Sequence, residues 1–457
     1  MKVDVVETTL VAPSEATPRR ELWLSNLDLF VPNKHTPLVY YYPAPAPATT
    51  DGAAAGEGAS FFAPERLKSA LAKALVPFYP LAGRLGVGED GRPQIDCNGE
   101  GALFIVARAD FTGEEVFQDY RPSPEFRRMF VPFTAPSGEL AMFQVTFLKC
   151  GGVVLGTGIH HVPIDGIGSF HFIQAWTRLS RGGLDDAAAG DDDQAPAPFH
   201  DRTLLRARSP PTPSFDHPVY SLALLTGCPR PSVARVYSVS PALLADLKSR
   251  CAPAAASTYC AVAAHLWRCM CVARALGLGS SDGGGVTRLR MTTNARHRLR
   301  PPLPRGYSGN AIMRDLVAAR VADVLARPLG FTAQAIRDAV DRVDDAYVRS
   351  AVDYLEVLDL ESSDSENNSN NNNNKEAHGQ AGQLMPESDM WLVSWLGMPM
   401  YDADFGWGAP RLVAPAQTFG SGTGYVTPRA SEDDGVVVIF ALEPEYQQCF
   451  QKTFYGD

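Results

Sequence analysis

Hydrophobic residues recur at two different spacings along the chain, and these spacings predict strands and helices in both halves. In FFAPERLKSALAKALVPF, residues 61–78, apolar side chains return every three or four positions, which predicts an amphipathic helix beginning near Pro64. In VARVYSVSPALLADLKSRC, residues 233–251, a β-prone run precedes a helical pattern, with Ser240 as its cap and Pro241 at its first position. Both halves therefore combine strands with helices.

Two further segments are apolar enough to predict buried elements. Residues 258–276, TYCAVAAHLWRCMCVARAL, are apolar nearly all round, as in a helix enclosed by protein. Residues 434–444, DGVVVIFALEP, predict a core strand late in the chain. Strands mixed with helices in each half predict an α/β or α+β fold with two domains.

Three segments of small and polar residues predict connections between these elements. They are residues 44–60, residues 182–215 and the asparagine-rich residues 362–383. The second is rich in Asp, Ala and Pro, which is typical of a crossover between domains, and the third is too polar to bury a core and predicts a mobile surface loop. We therefore predict an N-terminal domain at 1–181, a linker at 182–220 and a C-terminal domain at 221–457.

Composition narrows the partners and the compartment. The 457 residues carry 41 Lys and Arg against 51 Asp and Glu, a net charge of -10 that argues against a nucleic-acid partner. The sequence has no run of 18 apolar residues and its first residues lack a signal-peptide pattern, so we expect neither a membrane span nor secretion. The eight cysteines lack the spacing of a zinc site, and we expect reduced, buried thiols in a cytoplasmic protein.

The stretch GIHHVPIDGIGSFHF, residues 158–172, places two histidines and an aspartate where a β-prone run meets an amphipathic one. A neutral histidine held on such a turn is a suitable general base, because its ordinary pKa lies near the working pH. If the chain is extended there, neighbouring side chains point to opposite faces, so only one of His160 and His161 faces inward. Taken by itself, the pattern also fits a core histidine and an aspartate that caps the next helix.

Other catalytic patterns are missing from the sequence. There is no GxSxG nucleophile turn and no phosphate-binding P-loop. GVGEDG at residues 86–91 matches GxGxxG, but a strand pattern follows it, so we predict a hairpin turn. No third ligand accompanies the two histidines at a suitable spacing, so we expect no metal. A second motif, DADFGWG at residues 402–408, has glycines on both sides of a tryptophan and predicts a tight turn.

Together these motifs resemble the plant BAHD acyltransferase family. HVPIDG at residues 161–166 is similar to its HxxxDG motif, and DFGWG at residues 404–408 is similar to its DFGWG motif. Segments 78–85, 257–269 and 298–310 also resemble family segments, and LWLSNLDLFVPNKHTPLVYYYP at 22–43 resembles the hydroxycinnamoyl-CoA transferases. The resemblance implies an α/β fold of two domains, like chloramphenicol acetyltransferase, with an active-site channel between them.

The resemblance also implies roles for individual residues. His161 would take a proton from the acceptor and return it to the CoA thiolate, whereas Asp165 would point away from substrate and pair with Arg296. Structural roles are implied for Asp165, Gly166, Arg296, Asp404, Gly406, Trp407 and Gly408. Candidates for the oxyanion site are Thr36 and Trp395, and candidates for CoA contacts are Ser257, Thr258, Tyr259, Arg288 and Arg290. No cofactor or metal is implied, since the CoA thioester is a substrate.

The acceptor site departs from that of the family members that use shikimate. Those members carry Thr-x-Ser where this chain has Thr36-Pro37-Leu38, and an arginine near the position of Pro386 or Glu387. An acidic residue in place of that arginine favours a cationic acceptor such as putrescine or agmatine over an anionic one. The predicted acceptor pocket comprises Leu38, Tyr40, Glu387, Asp389, Val393, Met398 and Met400.

Two alternative functions remain open. An O-acyltransferase would use an alcohol such as shikimate, quinate, glycerol or a monolignol, and a catalytically silent homologue would bind the CoA ester without transferring it. Glu387 and Asp389 also fit a solvated end of the asparagine-rich loop. We expect a monomer that acts on hydroxycinnamoyl-CoA and a small amine or alcohol.

Overall fold

The computed structural model describes residues 1–44, 62–133, 135, 137–182, 196–253, 256–277, 285–364, 384–430 and 435–456. In chain order its strands are β1 (Val3–Val11), β2 (Glu21–Trp23), β3 (His35–Tyr42), β4 (Arg84–Val87), β5 (Pro93–Asp96), β6 (Ala102–Ala109), β7 (Ala141–Phe147), β8 (Val153–His160), β9 (Val233–Val239), β10 (Val286–Asn294), β11 (Ile312–Arg320), β12 (Met390–Ser394), β13 (Leu412–Pro415), β14 (Thr423–Pro428) and β15 (Val436–Leu442). Its helices are α1 (Asn26–Leu29), α2 (Pro64–Ala74), α3 (Gly113–Phe117), α4 (Pro124–Phe130), α5 (Gly166–Ser180), α6 (Pro241–Arg250), α7 (Thr258–Ala273), α8 (Val321–Ala326), α9 (Leu329–Arg342), α10 (Asp345–Asp364) and α11 (Gln447–Tyr455).

The first six-stranded sheet has the strand order β1-β6-β7-β8-β3-β13. Its strand β8 is buried at every position, which explains its continuous run of small and apolar residues. Helix α5 packs over this sheet through Phe172 and Trp176, whose rings lie 5.9 and 4.8 Å from that of Phe143. The indole of Trp176 donates a hydrogen bond of 3.0 Å to the backbone oxygen of Leu67, which joins α5 to α2.

The second six-stranded sheet has the order β11-β10-β12-β14-β15-β9. Helix α7 shares a hydrophobic core with this sheet, and most of its residues are buried, as its apolar pattern predicts. The late strand β15 is buried at almost every position, which confirms the predicted core strand. Ser240 accepts a hydrogen bond from the backbone N–H of Leu243, so it caps α6 with Pro241 at the first helical position, as predicted.

A small third sheet has the order β2-β5-β4. Strands β4 and β5 are antiparallel, so the glycine-rich residues 86–91 form the predicted hairpin and not a dinucleotide-binding turn.

The chain crosses between the two large sheets near its C-terminal end. Strand β13 pairs with β3, and Val413 lies opposite Tyr40. In sequence, β13 lies almost 200 residues after residue 220, where the predicted linker ends. The first core also contains Trp395, Phe405 and Tyr425 from the second half. The boundary predicted at 182–220 therefore does not separate the two sheets, because a segment of the second half completes the first sheet.

Much of the predicted connecting sequence lies outside the described residues, namely 45–61, 183–195 and 365–383. Helix α10 extends to Asp364, so the first residues assigned to the asparagine-rich loop are helical instead. None of the described helices is long and apolar enough to cross a membrane. All eight cysteines are free and five of them are buried, as expected, whereas Cys150, Cys228 and Cys449 are exposed.

Candidate active site

A cavity of about 650 Å³ lies between the two large sheets. Residues of β3, β8 and α5 line it from the first sheet, and residues of β10, β11, β12 and β14 line it from the second. His161, which directly follows β8, lies on its wall. The cavity therefore occupies the place where a channel between the two halves is expected.

The two adjacent histidines have different surroundings. His160 is buried, its ring packs edge-on against His35 at 5.0 Å, and its Nδ1 accepts a hydrogen bond of 3.3 Å from the backbone N–H of Val162. Burial, reinforced by the neighbouring histidines, lowers the pKa of His160 to about 3. His160 therefore stays neutral and serves packing, whereas His161 faces the cavity.

Asn310 holds the imidazole of His161. Its amide nitrogen donates to the carboxylate of Asp28 and to the backbone oxygens of His161 and Val162, each at 3.0 Å. These acceptors orient the amide so that its oxygen faces Nδ1 of His161 at 3.1 Å. Nδ1 must then carry the proton, which leaves the lone pair on Nε2 as the basic site.

The cavity also keeps His161 neutral. Burial is the largest influence on the pKa of His161 and lowers it, and the positive charge of Arg314 acts in the same direction. The charge of Asp165 opposes this shift without reversing it. A neutral imidazole with Nε2 unprotonated can accept a proton from a substrate in the cavity.

Asp165 organises the turn between β8 and α5. It is the N-cap of α5 and accepts the backbone N–H of Gly168 at 3.0 Å. Its two carboxylate oxygens receive the guanidinium of Arg296 at 2.7 and 2.9 Å, and Asp165 is only 1% exposed. The expected pair between these residues is present. With its oxygens occupied, this carboxylate supports the turn that presents His161.

The DFGWG segment is a tight turn on the first sheet's side of the molecule. The carboxylate of Asp404 accepts three backbone N–H groups, those of Gly406, Trp407 and Gly408, at 2.7, 3.0 and 2.9 Å. The two glycines have φ angles of 98° and 96°, which side chains rarely tolerate. Trp407 stacks on Phe62 with ring centroids 4.8 Å apart. Among the described residues that line the cavity, none belongs to this segment, so its geometry is that of a structural turn.

A family model described as the transferase family matches residues 1–457. The chain belongs to the BAHD acyltransferase family. It is 44% identical to putrescine hydroxycinnamoyltransferase 1 of Oryza sativa subsp. japonica, covering 100% of this chain and 99% of the relative. It is 39% identical to a hydroxycinnamoyl-CoA:5-hydroxyanthranilate N-hydroxycinnamoyltransferase of Avena sativa, covering 99% of each chain. The structure of vinorine synthase is similar, with a TM-score of 0.72 at 20% identity over 100% of this chain and 98% of that one, which shows the shared fold.

In this BAHD protein, some of the residues predicted for the oxyanion site and for CoA contacts line the cavity. The predicted residues of this set that line it are Thr36, Trp395, Ser257 and Tyr259, and Asp165 and Gly166 of the turn after His161 line it as well. Tyr259 is tied to β12, because its hydroxyl donates a hydrogen bond of 3.1 Å to the backbone oxygen of Leu392. Thr258 is not among the described residues that line the cavity.

Arg288 and Arg290 are not brought to the cavity. Both face Asp389, with nitrogen–oxygen distances of 3.6 Å from Arg288 and 4.0 Å from Arg290. Arg290 is buried and also donates to the backbone oxygen of Leu224 at 2.9 Å. Because both arginines face an internal carboxylate, the structure does not support their predicted contacts with CoA.

The cavity of this BAHD protein is lined by four of the residues predicted for the acceptor pocket, but not by the two acidic ones. Leu38, Tyr40, Val393 and Met398 line the cavity, whereas Met400, Glu387 and Asp389 do not.

The predicted acidic clamp is therefore wrong. Asp389 is fully buried before β12, where its carboxylate accepts the backbone N–H of Arg288 at 3.2 Å and the hydroxyl of Ser388 at 3.1 Å. Glu387 is exposed and accepts the hydroxyl of Tyr446 at 3.2 Å. Neither carboxylate can pair with the ammonium group of a substrate in the cavity, because Asp389 is enclosed by arginines and Glu387 faces solvent.

Sequence reasoning missed residues that act around the site. Asn310 and Asp28 support His161, and Asp28 in turn lies 3.3 Å from the guanidinium of the buried Arg202. Two cations, Lys34 and Arg314, line the cavity. Asn310 ends a segment that resembles the family, but no local pattern indicates its contact with a histidine 149 positions away. Within the described ranges, no cluster of His, Cys, Asp or Glu could hold a metal ion.

Proposed function

We propose that this protein transfers a hydroxycinnamoyl group from CoA to a primary amine, with His161 as the general base. The observation that carries the proposal is the neutral imidazole on the cavity wall, oriented by Asn310 so that Nε2 is the free nitrogen. Both relatives described above have names that contain hydroxycinnamoyltransferase, and their names give an amine or a nitrogen as the acylated group.

The reaction needs one proton carrier. The uncharged amine attacks the thioester carbonyl, and Nε2 of His161 removes a proton from the attacking nitrogen. The C–S bond then breaks, the CoA thiolate leaves with the bonding electrons, and His161 returns the proton to it. The products are the amide and CoA, and His161 is neutral again.

The tetrahedral intermediate requires a hydrogen-bond donor at its oxyanion. The Thr36 hydroxyl and the Trp395 indole N–H belong to side chains that line the cavity, as His161 does, and they are our candidates. Trp395 packs against Tyr425 at 4.5 Å and Phe170 at 6.4 Å, which restricts its ring. For the CoA arm, Ser257 and Tyr259 at the start of α7 are the candidates that line the cavity.

The choice of an amine over an alcohol rests on the relatives, because the acidic clamp is absent from the cavity. A direct test incubates the protein with p-coumaroyl-CoA and putrescine, agmatine, shikimate, quinate or glycerol in parallel. We expect amides from the amines, identified by mass spectrometry, and little ester. Ester formation without amide would transfer the proposal to an alcohol acceptor. Thioester consumption with none of these products, or binding without CoA release, would contradict an acyltransferase with small acceptors.

A further inference from the structure

Arg314 is a buried cation on the wall of the active-site cavity. It lies on β11 opposite Thr292 of β10, lines the cavity, and is 7% exposed. Its guanidinium carbon is 5.3 Å from the ring centroid of Trp391. Within the part of the chain that the structure describes, its guanidinium forms no ion pair and no hydrogen bond; its backbone N–H alone contacts the Tyr220 hydroxyl, at 3.4 Å.

Other buried arginines of this protein have carboxylate partners. Arg296 pairs with Asp165 at 2.7 Å, Arg274 with Glu443 at 2.9 Å, and Arg202 lies 3.3 Å from Asp28. A buried charge without a partner is costly, and its contact with an aromatic ring offsets only part of that cost. Burial lowers the pKa of Arg314 only to about 10, so it remains charged at neutral pH. This contrast indicates that the partner of Arg314 lies outside the described residues, and its place on the cavity wall makes a bound substrate the natural source.

Trp391 adds a second unused donor at the same place. Its side chain also lines the cavity, and its indole Nε1 is buried without a hydrogen-bond partner among the described residues. A guanidinium and an indole N–H offer only donors, so they match a group that only accepts hydrogen bonds. The planar, charged carboxylate is such a group, and arginine binds it through two parallel N–H donors.

We propose that Arg314 binds a carboxylate of the acceptor, so that this protein prefers amines that carry a carboxylate close to the reacting nitrogen. The proposal rests on the amine acyltransferase function and specifies its acceptor. A hydroxycinnamoyl thioester has no free carboxylate, so we assign the group to the acceptor and not to the acyl donor. Arg314 and His161 both line this one cavity, so a single acceptor can present its amine to the imidazole and its carboxylate to the guanidinium.

Matched acceptors test the proposal directly. Ornithine and putrescine, arginine and agmatine, and tyrosine and tyramine each differ by one α-carboxylate. With p-coumaroyl-CoA, we expect a higher kcat/KM for the carboxylated member of a pair that the protein accepts. Arg314→Gln should lower that value about 10- to 100-fold, as expected for one charge-assisted hydrogen bond, and should change the value for the decarboxylated member less than about threefold. Arg314→Lys keeps the charge but loses the two parallel N–H donors. Its kcat/KM for the carboxylated acceptor should therefore lie between those of the wild type and Arg314→Gln.

Lys34 provides the matched control, because it is a second cation on the cavity wall. Its ammonium nitrogen is 4.4 Å from the ring centroid of Phe419, and burial lowers its pKa to about 8. Lys34→Gln should leave the preference within each pair unchanged. Loss of the preference in Lys34→Gln but not in Arg314→Gln would overturn the assignment to Arg314.

The remaining outcomes separate this proposal from the proposed function. Amide formation from decarboxylated amines alone, or equal losses for both members in Arg314→Gln, would overturn the carboxylate site and leave the amine acyltransferase standing. Malonyl-CoA and acetyl-CoA are acyl donors that differ by one carboxylate. If Arg314→Gln lost activity with malonyl-CoA but not with acetyl-CoA, the carboxylate would belong to the donor, and the acceptor assignment would be overturned. Ester formation without any amide would overturn both. The melting temperature of Arg314→Gln should fall little, since among the described residues the guanidinium has no ion pair or hydrogen bond to lose and only its contact with the Trp391 ring. A large fall would identify a structural arginine and overturn the proposal.

Discussion

His161 and His160 are adjacent, yet at the residue scale their surroundings assign them different roles. His161→Ala should lower kcat by about 10²- to 10⁴-fold, the usual contribution of a general base, because it removes the cavity-lining imidazole that Asn310 orients. Binding of the CoA ester, measured by calorimetry, should remain. His160→Ala is the control, and it should mainly lower the melting temperature, because it removes a packed ring. Near-normal turnover by His161→Ala would contradict the proposed base.

The pH profile reports both the base and the nucleophile. The pKa of His161 is lowered from 6.5 by burial, so its neutral, active form persists to a lower pH than that of an exposed histidine. With an alcohol acceptor, kcat/KM should therefore rise below pH 6.5 and then reach a plateau. With an aliphatic amine it should continue to rise towards the pKa of the ammonium, about 10, because only the free amine attacks. Identical profiles for amine and alcohol acceptors would argue against rate-limiting attack by the free amine.

At the element scale, the start of α5 depends on a buried ion pair as well as on a helix cap. Asp165→Asn keeps a side-chain oxygen for the cap but leaves Arg296 without its counter-charge. We expect a loss of about 3–5 kcal/mol in the free energy of unfolding, measured by urea denaturation. Ser240→Ala removes only a cap, that of α6, and should cost about 1 kcal/mol. Equal losses in the two variants would show that the ion pair contributes little beyond capping.

The same turn explains which parts of the site were predictable. The pattern around Asp165 places a cap at the boundary between strand and helix, and this boundary is local. The pair with Arg296 was expected only through the family resemblance, since 131 positions separate the two residues. The predicted acidic clamp was wrong because it was inferred from local sequence alone. The sequence near Asp389 shows its charge, but not the two arginines of β10 that enclose it.

At the scale of the whole molecule, the predicted N-terminal domain lacks parts of its own sheet and core. Strand β13, Phe405 and Trp395 all come from the second half. A fragment of residues 1–181 should therefore not fold alone, because β3 would become an exposed edge and the first core would lose buried side chains. Circular dichroism and hydrogen exchange should show an unfolded or aggregated fragment. Mixing it with a fragment of residues 196–457 during refolding is the control, and it should restore protection in β8. A stable, cooperative fragment 1–181 would show that β13 is dispensable.

The sequence by itself determined the local elements and the family. Periodicity and capping residues depend on neighbours within a few positions, so α6, α7, β15 and the hairpin between β4 and β5 were predictable. The HxxxDG and DFGWG motifs are likewise short segments that can be identified from the sequence alone. Tertiary structure alone decided which side chains meet in the cavity. The contact of Asn310 with His161, the enclosure of Asp389 by arginines and the absence of an ion pair for Arg314 among the described residues all depend on strands that pair across long stretches of chain. Burial there determines which charges are neutralised and which remain available to a substrate.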